Sequence, residues 1–352
     1  MARAHTRLTN RPDHRDDLAA EALLIALPEL PTHAPILVAG DRTGEVEDEL
    51  RQRGHTVVAW RRFASGVQSA SAWPEASNCA AAVLRLPKGR DAFRFGLHAL
   101  VAAVEPGASV FVYGANDEGI KPAAKRMRSL LDSVETVDSR RHCRVLRGVR
   151  SDHPEGLQGS LADHRREESL ELDGEAYRYV CYPGVFAKGR VDAASKMLLD
   201  AMPKLGEGDH VLDFASGAGL LTMVLAQREP SASFQLIDAD AVAIVAAKEN
   251  VPGVLAICGD SWGRLPSYRR YDRIISNPPI HTGKGRDYSV LTRLVEGAEM
   301  RLLPGGSLWL VVQRQIPVRP MLESAFDDVS VAAEDPRFRV WRCGRLSDRY
   351  GL

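Results

Sequence analysis

Residues 209–281 constrain the fold more than any other part of the chain. This stretch opens with an apolar run, residues 211–214, that continues into the glycine-rich residues 215–219 and then into a helical segment. It closes with a second apolar run that ends in Asn277-Pro278-Pro279. A strand that turns through glycines into a helix is typical of an open parallel sheet whose ligand lies beyond the strand ends. We therefore expect a ligand cradle and a chemically active tip on one sheet.

Apolar runs followed by segments with helical periodicity recur along the whole chain, which indicates parallel α/β sheets. The first half contains predicted strands at 36–40, 57–60, 80–86 and 109–113. The second half contains predicted strands at 211–214, 234–237, 254–258, 271–276 and 307–312. With 352 residues the chain is too long for one ordinary core, so two domains are expected.

The two halves share signals in the same order, which indicates an internal duplication. The string KGRD at residues 88–91, a helix, a Pro-Gly turn and a strand recur in the second half, starting at residues 284–287. Chance similarity of four-residue strings is the alternative, and the common order of the elements argues against it.

The first copy lacks the chemical groups of the second. Residues 40–44 stand where the second copy has residues 217–219, and Arg85-Leu86-Pro87 stands where it has Asn277-Pro278-Pro279. The predicted fold class is therefore α/β with two tandem Rossmann-like domains, of which the N-terminal one is degenerate. The predicted boundaries are 1–150 for the degenerate domain, which serves structure or substrate binding, 151–168 for a linker and 169–352 for the catalytic domain.

The composition excludes several classes of protein. The chain has 46 basic and 46 acidic side chains, which argues against nucleic-acid binding by bulk charge and leaves room for a local basic patch. Five scattered cysteines without a Cys-x-x-Cys pair favour neither a disulfide framework nor a zinc site. No run approaches the roughly 20 apolar residues of a membrane span. We expect a cytoplasmic monomer without a bound metal.

The acidic residues at the ends of the predicted strands suit a nucleoside. Gly217 and Gly219 let the backbone turn tightly next to a ligand, although such a pair also suits NAD. Asp238 ends its strand and is placed to accept hydrogen bonds from a ribose diol, with Asp240 as the alternative. Asp260 follows the next strand and is placed to receive an adenine amino group.

The Asn-Pro-Pro tip indicates methylation of a planar exocyclic amine. The lone pair of such a nitrogen is delocalised into its ring, so the nitrogen is a poor nucleophile. The side-chain carbonyl of Asn277 and the main-chain carbonyl of Pro278 can each accept one of its N–H groups, which directs the lone pair toward a methyl donor. Proline fixes the local backbone so that both acceptors converge.

Residues 213–219, DFASGAG, together with residues 277–281, NPPIH, resemble class I S-adenosylmethionine-dependent methyltransferases of the Asn-Pro-Pro type. The duplicated layout and residues 183–186, PGVF, make the chain similar to bacterial 16S ribosomal RNA guanine-N2 methyltransferases. The resemblance implies a degenerate and a catalytic methyltransferase domain, and S-adenosylmethionine as the cofactor. It implies catalysis at Asn277, Pro278 and Pro279, with the cofactor held by Asp213, Ala215, Gly217, Gly219, Asp238, Asp260 and Asn277.

On the acceptor side the chain departs from this family, which usually has an aromatic residue at the position of Ile280. Stacking on an aromatic side chain is worth about 1–3 kcal/mol per base. Phe186 or His281 is therefore expected to supply a flat face. Lys284 and Arg286 are expected at the mouth of the site, where they would contact RNA together with Ile280, Phe186 and His281.

The leading hypothesis is methyl transfer to guanine N2 of ribosomal RNA, with small-subunit 16S rRNA or the small subunit itself as partner. One alternative keeps the donor and changes the acceptor to large-subunit rRNA, a protein glutamine amide or a small-molecule amine. Another alternative is a non-catalytic RNA-binding protein with a dead site.

Overall fold

The structure is a computed structural model that describes residues 14–185, 193–282 and 285–344, without the side chains of residues 281–286. The chain forms two compact units. The first consists of Met1–Arg62 and Ser71–His164, and the second of Phe63–Ala70 and Arg165–Leu352. The first unit contains α1 (His14–Ala26), β1 (Ile36–Ala39), α2 (Glu45–Gln52), β2 (Val57–Trp60), β3 (Cys79–Arg85), α3 (Arg90–Ala103), β4 (Val104–Ala115), α4 (Ile120–Met127), β5 (Leu131–Arg140) and β6 (Cys143–Arg150).

From Arg165 onward, the second unit begins with a β-hairpin whose turn is Asp173-Gly174. Both turn residues have positive φ, 54° and 82°, which is the conformation that this kind of tight hairpin turn requires. The second unit contains β7 (Arg166–Leu172), β8 (Glu175–Cys181), α5 (Ala193–Ala201), β9 (His210–Phe214), α6 (Leu220–Arg228), β10 (Ser233–Asp238), α7 (Ala241–Asn250), β11 (Leu255–Cys258), β12 (Tyr271–Ser276), β13 (His281–Thr282), β14 (Gly285–Arg286), α8 (Ser289–Arg301), β15 (Leu302–Gln313), α9 (Arg319–Ala325), β16 (Asp328–Glu334) and β17 (Phe338–Gly344).

The two main sheets have the same topology. The first has the strand order β2-β1-β3-β4-β6-β5 and the second has β11-β10-β9-β12-β15-β17-β16. When β11 is left out, the strands correspond one to one, and in both sheets the last two strands in sequence are antiparallel additions to a parallel core. The predicted repetition of one Rossmann-like domain is confirmed.

Both faces of the second sheet are covered, which explains why its strands are continuous apolar runs. On β12, Ile274 packs into one hydrophobic cluster with helices α8 and α9, whereas Ile275 packs into another cluster with α5 and α6. Leu308 and Trp309 of β15 divide between the same two clusters. Each fully buried side chain of this size contributes about 1.5–3 kcal/mol.

Residues 151–164, which make up most of the predicted linker at 151–168, group with the first unit. His164 is buried against the rings of Trp73 and Phe95, at centroid distances of 5.5 and 4.9 Å. Burial lowers the pKa of His98 to about 4, so its neutral ring accepts the backbone N–H of Gln158 through Nδ1 at 3.0 Å. The sequence of this segment is polar because residues that attach it to the first unit, such as His164, are themselves polar.

In the described ranges, no helix has the length and apolar character that crossing a membrane requires.

Candidate functional site

The loops after four neighbouring strands meet at one edge of the second sheet. Strands β11, β10, β9 and β12 are adjacent and parallel, so their carboxyl ends lie side by side. In open α/β sheets this edge is where ligands bind. The structure therefore brings together the glycine-rich turn after β9, Asp238 at the end of β10, Asp260 after β11 and Asn277 after β12.

The turn after β9 has three residues with left-handed backbone, Ala215, Gly217 and Gly219, at φ of 58°, 56° and 75°. A side chain at such a position costs about 1–2 kcal/mol, so Ala215 is strained. A Cβ on Gly219 would lie 2.9 Å from Leu236 and 3.2 Å from Ala247. Gly219 therefore lets helix α6 begin close to its neighbours, and its contact with a cofactor stays a prediction.

Asp213 is fully buried under this turn. Its Oδ2 accepts the hydroxyl of Thr222 at 2.9 Å, whereas its Oδ1 has no hydrogen-bond partner among the described residues. Burial and, to a smaller extent, the charge of Asp238 raise the pKa of Asp213, whereas the hydrogen bond from Thr222 lowers it. The resulting pKa is about 7. Ser216 Oγ, on the turn itself, is likewise buried and unpaired within the described part of the chain. Buried polar groups without a partner are rare in proteins, and a hydrogen bond from a ligand is one way to satisfy them.

Asp238 holds the turn in place. Its Oδ2 accepts the backbone N–H of Gly217 at 2.7 Å and its Oδ1 accepts that of Asp240 at 2.8 Å. Asp240, the alternative for the sugar, instead caps helix α7 by accepting the N–H of Val242 at 2.9 Å. Because Asp240 is buried whereas Asp238 is partly exposed, Asp238 stays the preferred candidate for the ribose.

Asp260 lies next to a segment that the sequence did not point to. Its Oδ1 accepts the backbone N–H of Gly66 at 3.2 Å, and Gly66 belongs to residues Phe63–Ala70 of the same unit. Two residues further on, Trp262 stacks on Phe214 at a centroid distance of 5.0 Å and donates its ring N–H to the Arg293 carbonyl at 2.7 Å.

The Asn-Pro-Pro tip is anchored on both sides. Ser276, fully buried, donates its hydroxyl to the carbonyl of Phe214 at 2.6 Å. The side-chain nitrogen of Asn277 donates to Ser195 Oγ on α5 at 3.0 Å. This hydrogen bond orients the amide group and thereby sets the direction of its carbonyl oxygen. Pro278 is buried and Pro279 is exposed. Ser195 was missed because nothing in a helical sequence marks a serine for a partner 82 residues away.

Ile280, which the sequence predicts to contact the substrate, is largely buried, and that contact stays a prediction. Its side chain is 7% exposed and lies in the hydrophobic cluster that also contains Phe214 and Leu291, because an aliphatic side chain gains more from the core than from solvent. The side chains of His281 and Arg286 lie outside the described residues, and so do Phe186 and Lys284. The backbones of His281 and Arg286 pair with each other in the small ladder β13-β14.

Several arginines near the end of the first half, among them Arg140, Arg141 and Arg147, already contact acidic side chains. Arg141 pairs with Glu21, Arg140 pairs with Asp138, and Arg147 lies 3.7 Å from Glu135. Exposed ion pairs of this kind are worth about 0–1 kcal/mol, so they neither mark nor exclude a phosphate site.

S-adenosylmethionine fits the residues at this edge. It carries an ammonium and a sulfonium, which suit the carboxylates of Asp213 and Asp238, and an adenine amine, which suits Asp260. NAD fits less well, because its pyrophosphate would face buried acidic groups. Over the described ranges, no group of three or more His, Cys, Asp and Glu side chains is arranged to hold a metal ion.

Two family models match the chain in the same order as the two units. The model described as "Methyltransferase small domain N-terminal" matches residues 28–158, and the model described as "Methyltransferase small domain" matches residues 176–342. The second range contains β9 to β12 and thus the whole edge described above, apart from the segment at Gly66.

Curated relatives and one solved structure match over most of the chain. The ribosomal RNA small subunit methyltransferase C of Alcanivorax borkumensis is 34% identical over 74% of this chain and 78% of its own length. The protein of that name from Pseudomonas putida KT2440 is 31% identical over 88% of this chain and 95% of its own. The 16S rRNA N2 G1207 methyltransferase of T. thermophilus, in complex with AdoMet and guanosine, matches with a TM-score of 0.81 at 25% identity, covering 94% of this chain and 92% of its own.

Proposed function

The chain belongs to the family of ribosomal RNA small subunit methyltransferases C, and we propose that it transfers a methyl group from S-adenosylmethionine to N2 of a guanine in 16S rRNA. The observation that carries this proposal is the position of Asn277 and Pro278 on the same sheet edge as the unpaired Asp213 Oδ1. The solved relative supports both ligands, since it binds AdoMet and guanosine.

The donor side consists of the turn after β9 and three carboxylates. S-adenosylmethionine supplies the methyl group from its sulfonium. Asp213 accepts a hydrogen bond from the ammonium through its unpaired Oδ1, since the ammonium is the strongest donor of this ligand. Asp238, at the end of β10, accepts from the ribose hydroxyls, and Asp260 accepts from the adenine amine.

The acceptor side consists of two carbonyl oxygens. The oxygen of the Asn277 amide and the main-chain oxygen of Pro278 each accept one N–H of the guanine amine. These bonds draw the nitrogen out of conjugation and stabilise the positive charge that develops as the new N–C bond forms. The methylated amine then loses one proton to water, because a protonated arylamine is a strong acid and needs no positioned base.

The substrate must present an unstacked guanine. A base inside a helix cannot reach a sheet edge, so the target is flipped or single-stranded at the moment of transfer. We propose that the first unit, Met1–Arg62 and Ser71–His164, supplies binding surface for the small subunit or its RNA and does no chemistry. A ribosomal substrate also requires a cytoplasmic enzyme, and we propose that it acts as a monomer.

The test is transfer of radiolabelled methyl to purified small subunits, large subunits and naked 16S rRNA. We expect label in small-subunit RNA, removed by RNase, with N2-methylguanine as the modified nucleoside. An Asn277→Ala protein gives the background. Label that survives RNase would indicate a protein amide as acceptor. No label in any sample, with donor binding demonstrated by calorimetry, would refute the proposal.

A further inference from the structure

Residues Phe63–Ala70, called the strap below, leave the first unit and belong structurally to the second. The ends of the excursion are joined within the first unit, where Ser71 donates its N–H to the Arg61 carbonyl at 2.9 Å. Its tip is a tight turn in which Gln68 donates its N–H to the Ser65 carbonyl at 2.9 Å, and Gly66 has φ of 54°. The strap is therefore a closed loop with a defined conformation.

The strap crosses the carboxyl ends of β10 and β11. Ala64 donates its N–H to the Ala239 carbonyl at 2.8 Å, and Phe63 forms a bridge with Asp240. At the tip, Gly66 donates its N–H to Asp260 Oδ1 at 3.2 Å. The strap thus contacts the loops that carry the two carboxylates proposed for the nucleoside.

Arg264 clamps the tip of the strap. Its Nε donates to the Gly66 carbonyl at 3.0 Å, and its Nη2 donates to the Gln68 carbonyl at 2.8 Å. The stem of Arg264 runs over Gly259, where a Cβ would lie 2.5 Å from Arg264 Cγ. Gly259 therefore leaves the space that Arg264 needs to reach the strap. The hydrogen bonds to the two carbonyls fix the orientation of the planar guanidinium of Arg264.

The origin of the strap explains why it is available. In the second sheet the connection from β10 to β12 includes α7 and β11, which lead to Asp260. In the described residues of the first unit, the corresponding connection from β2 to β3 contains neither a helix nor a strand. The degenerate copy has given up that part of the fold, and the remaining chain lies against the second sheet.

We propose that the strap forms a wall of the adenine subsite, and that Gly66 and Arg264 determine selectivity for a 6-aminopurine by positioning Asp260. This inference rests on the proposed donor site. The Gly66 N–H holds one carboxylate oxygen, which fixes the plane of the Asp260 side chain and directs its remaining lone pairs. An adenine amine donates to those lone pairs, whereas the 6-carbonyl of hypoxanthine meets acceptor with acceptor. Arg264 is a positioning residue in this arrangement.

The test compares binding of S-adenosylhomocysteine and S-inosylhomocysteine by calorimetry, using the full chain. The wild type should prefer the adenine form. Arg264→Ala should reduce this preference about tenfold, since one well-placed hydrogen bond is worth roughly 1 kcal/mol or somewhat more. Binding of the inosine form should hardly change. Arg269→Ala is the matched control, because Arg269 is exposed on the same loop and its guanidinium lies over Tyr268.

Arg264→Lys separates geometry from charge. Lysine keeps the positive charge but cannot bond two carbonyls at fixed spacing, so it should lose the preference as alanine does. A lysine variant with wild-type preference, or an alanine variant with an unchanged ratio of the two affinities, would overturn the proposal. A wild type that binds neither compound would instead refute the donor site itself.

Discussion

The carboxyl edges of the two sheets hold opposite arrangements of polar groups. In the first unit, β3 ends at Arg85, which is buried and paired on both sides: its Nη2 lies 2.7 Å from Asp16 Oδ1 and 2.8 Å from Glu118 Oε2. Asp41, after β1, accepts the N–H groups of Val46 and Glu47 at 3.0 and 3.1 Å and so caps α2. Every one of these charges has a partner within its own unit.

In the second unit the equivalent strands end in groups that the protein leaves unsatisfied. Among the described residues, one oxygen of the fully buried Asp213 and the hydroxyl of Ser216 have no hydrogen-bond partner, and Ala215 is held in the left-handed region. Each of these features costs stability. The comparison shows two uses of the same sheet edge. In the first unit the charged groups at the edge pair with each other, whereas in the second unit some polar groups lack a partner among the described residues, as expected of a ligand-binding site.

The largest effect on stability is expected from removing Arg85, the buried cation at the carboxyl edge of the first sheet. Arg85→Ala leaves the carboxylates of Asp16 and Glu118 close together without a cation, and should lower the free energy of unfolding by about 3–5 kcal/mol. Denaturant unfolding followed by circular dichroism measures this. Arg51→Ala, which removes an exposed arginine that pairs with Glu47 and Asp48, should cost less than about 1 kcal/mol. Equal losses would mean that the first edge is not specially stabilised.

The second effect is on the rate at the open edge. Asn277→Ala removes one of two acceptors for the target amine and should lower methyl transfer by about 10²–10³. Donor affinity and stability should change much less. Asn116→Ala in the first unit, where the side-chain amide accepts a hydrogen bond from Arg144 at 3.1 Å, serves as control. A parallel loss of donor affinity would assign Asn277 to the cofactor rather than to the amine.

The third effect concerns the pH dependence of the open edge. Burial raises the pKa of Asp213 to about 7, so the folded state binds the proton more tightly than the unfolded state, whose pKa is about 3.9. Stability therefore falls as pH rises between about 4 and 7. Asp213→Asn removes this cost and should stabilise the ligand-free protein by about 2 kcal/mol at pH 8, where it should also weaken S-adenosylhomocysteine binding.

Unfolding midpoints at about pH 5 and pH 8 test this prediction. The gain from Asp213→Asn should be largest at the higher pH and about a third as large at the lower one, because the cost develops between the unfolded pKa of about 3.9 and the folded pKa of about 7. The exposed Asp200→Asn should show no such difference. A gain that is equal at both values would mean that Asp213 does not titrate in this range.

The smallest effect is the strain at the turn. Ala215→Gly relieves about 1–2 kcal/mol of left-handed strain and loses about 0.5–1 kcal/mol to the added freedom of the unfolded chain. The net result should be a stabilisation below about 1 kcal/mol. Ala124→Gly in the interior of α4 should destabilise by about 1 kcal/mol instead. Thermal melting of both variants tests the sign, and a destabilised Ala215→Gly protein would contradict the strain.

The sequence predicts the sheet well and its connections less well. Strands β2 and β12 have the predicted limits because buried parallel strands are short apolar runs between polar residues. The strap, the Ser195 bond and the packing of residues 151–164 depend on partners far away in the chain, and a local pattern carries no information about them. The burial of Ile280 in the hydrophobic cluster with Phe214 likewise depends on the packing of distant elements.

The strap has a consequence for how this protein can be divided. The residues that contact Asp260 are encoded within residues 28–158, the part matched by the N-terminal family model, whereas Asp260 lies in the part matched by the catalytic one. A chimera that joins the first half of one relative to the second half of another would exchange a piece of the donor pocket together with the non-catalytic domain. A chimera of two dissimilar relatives should thus fold and still bind the donor poorly. The two domains therefore need to be exchanged together.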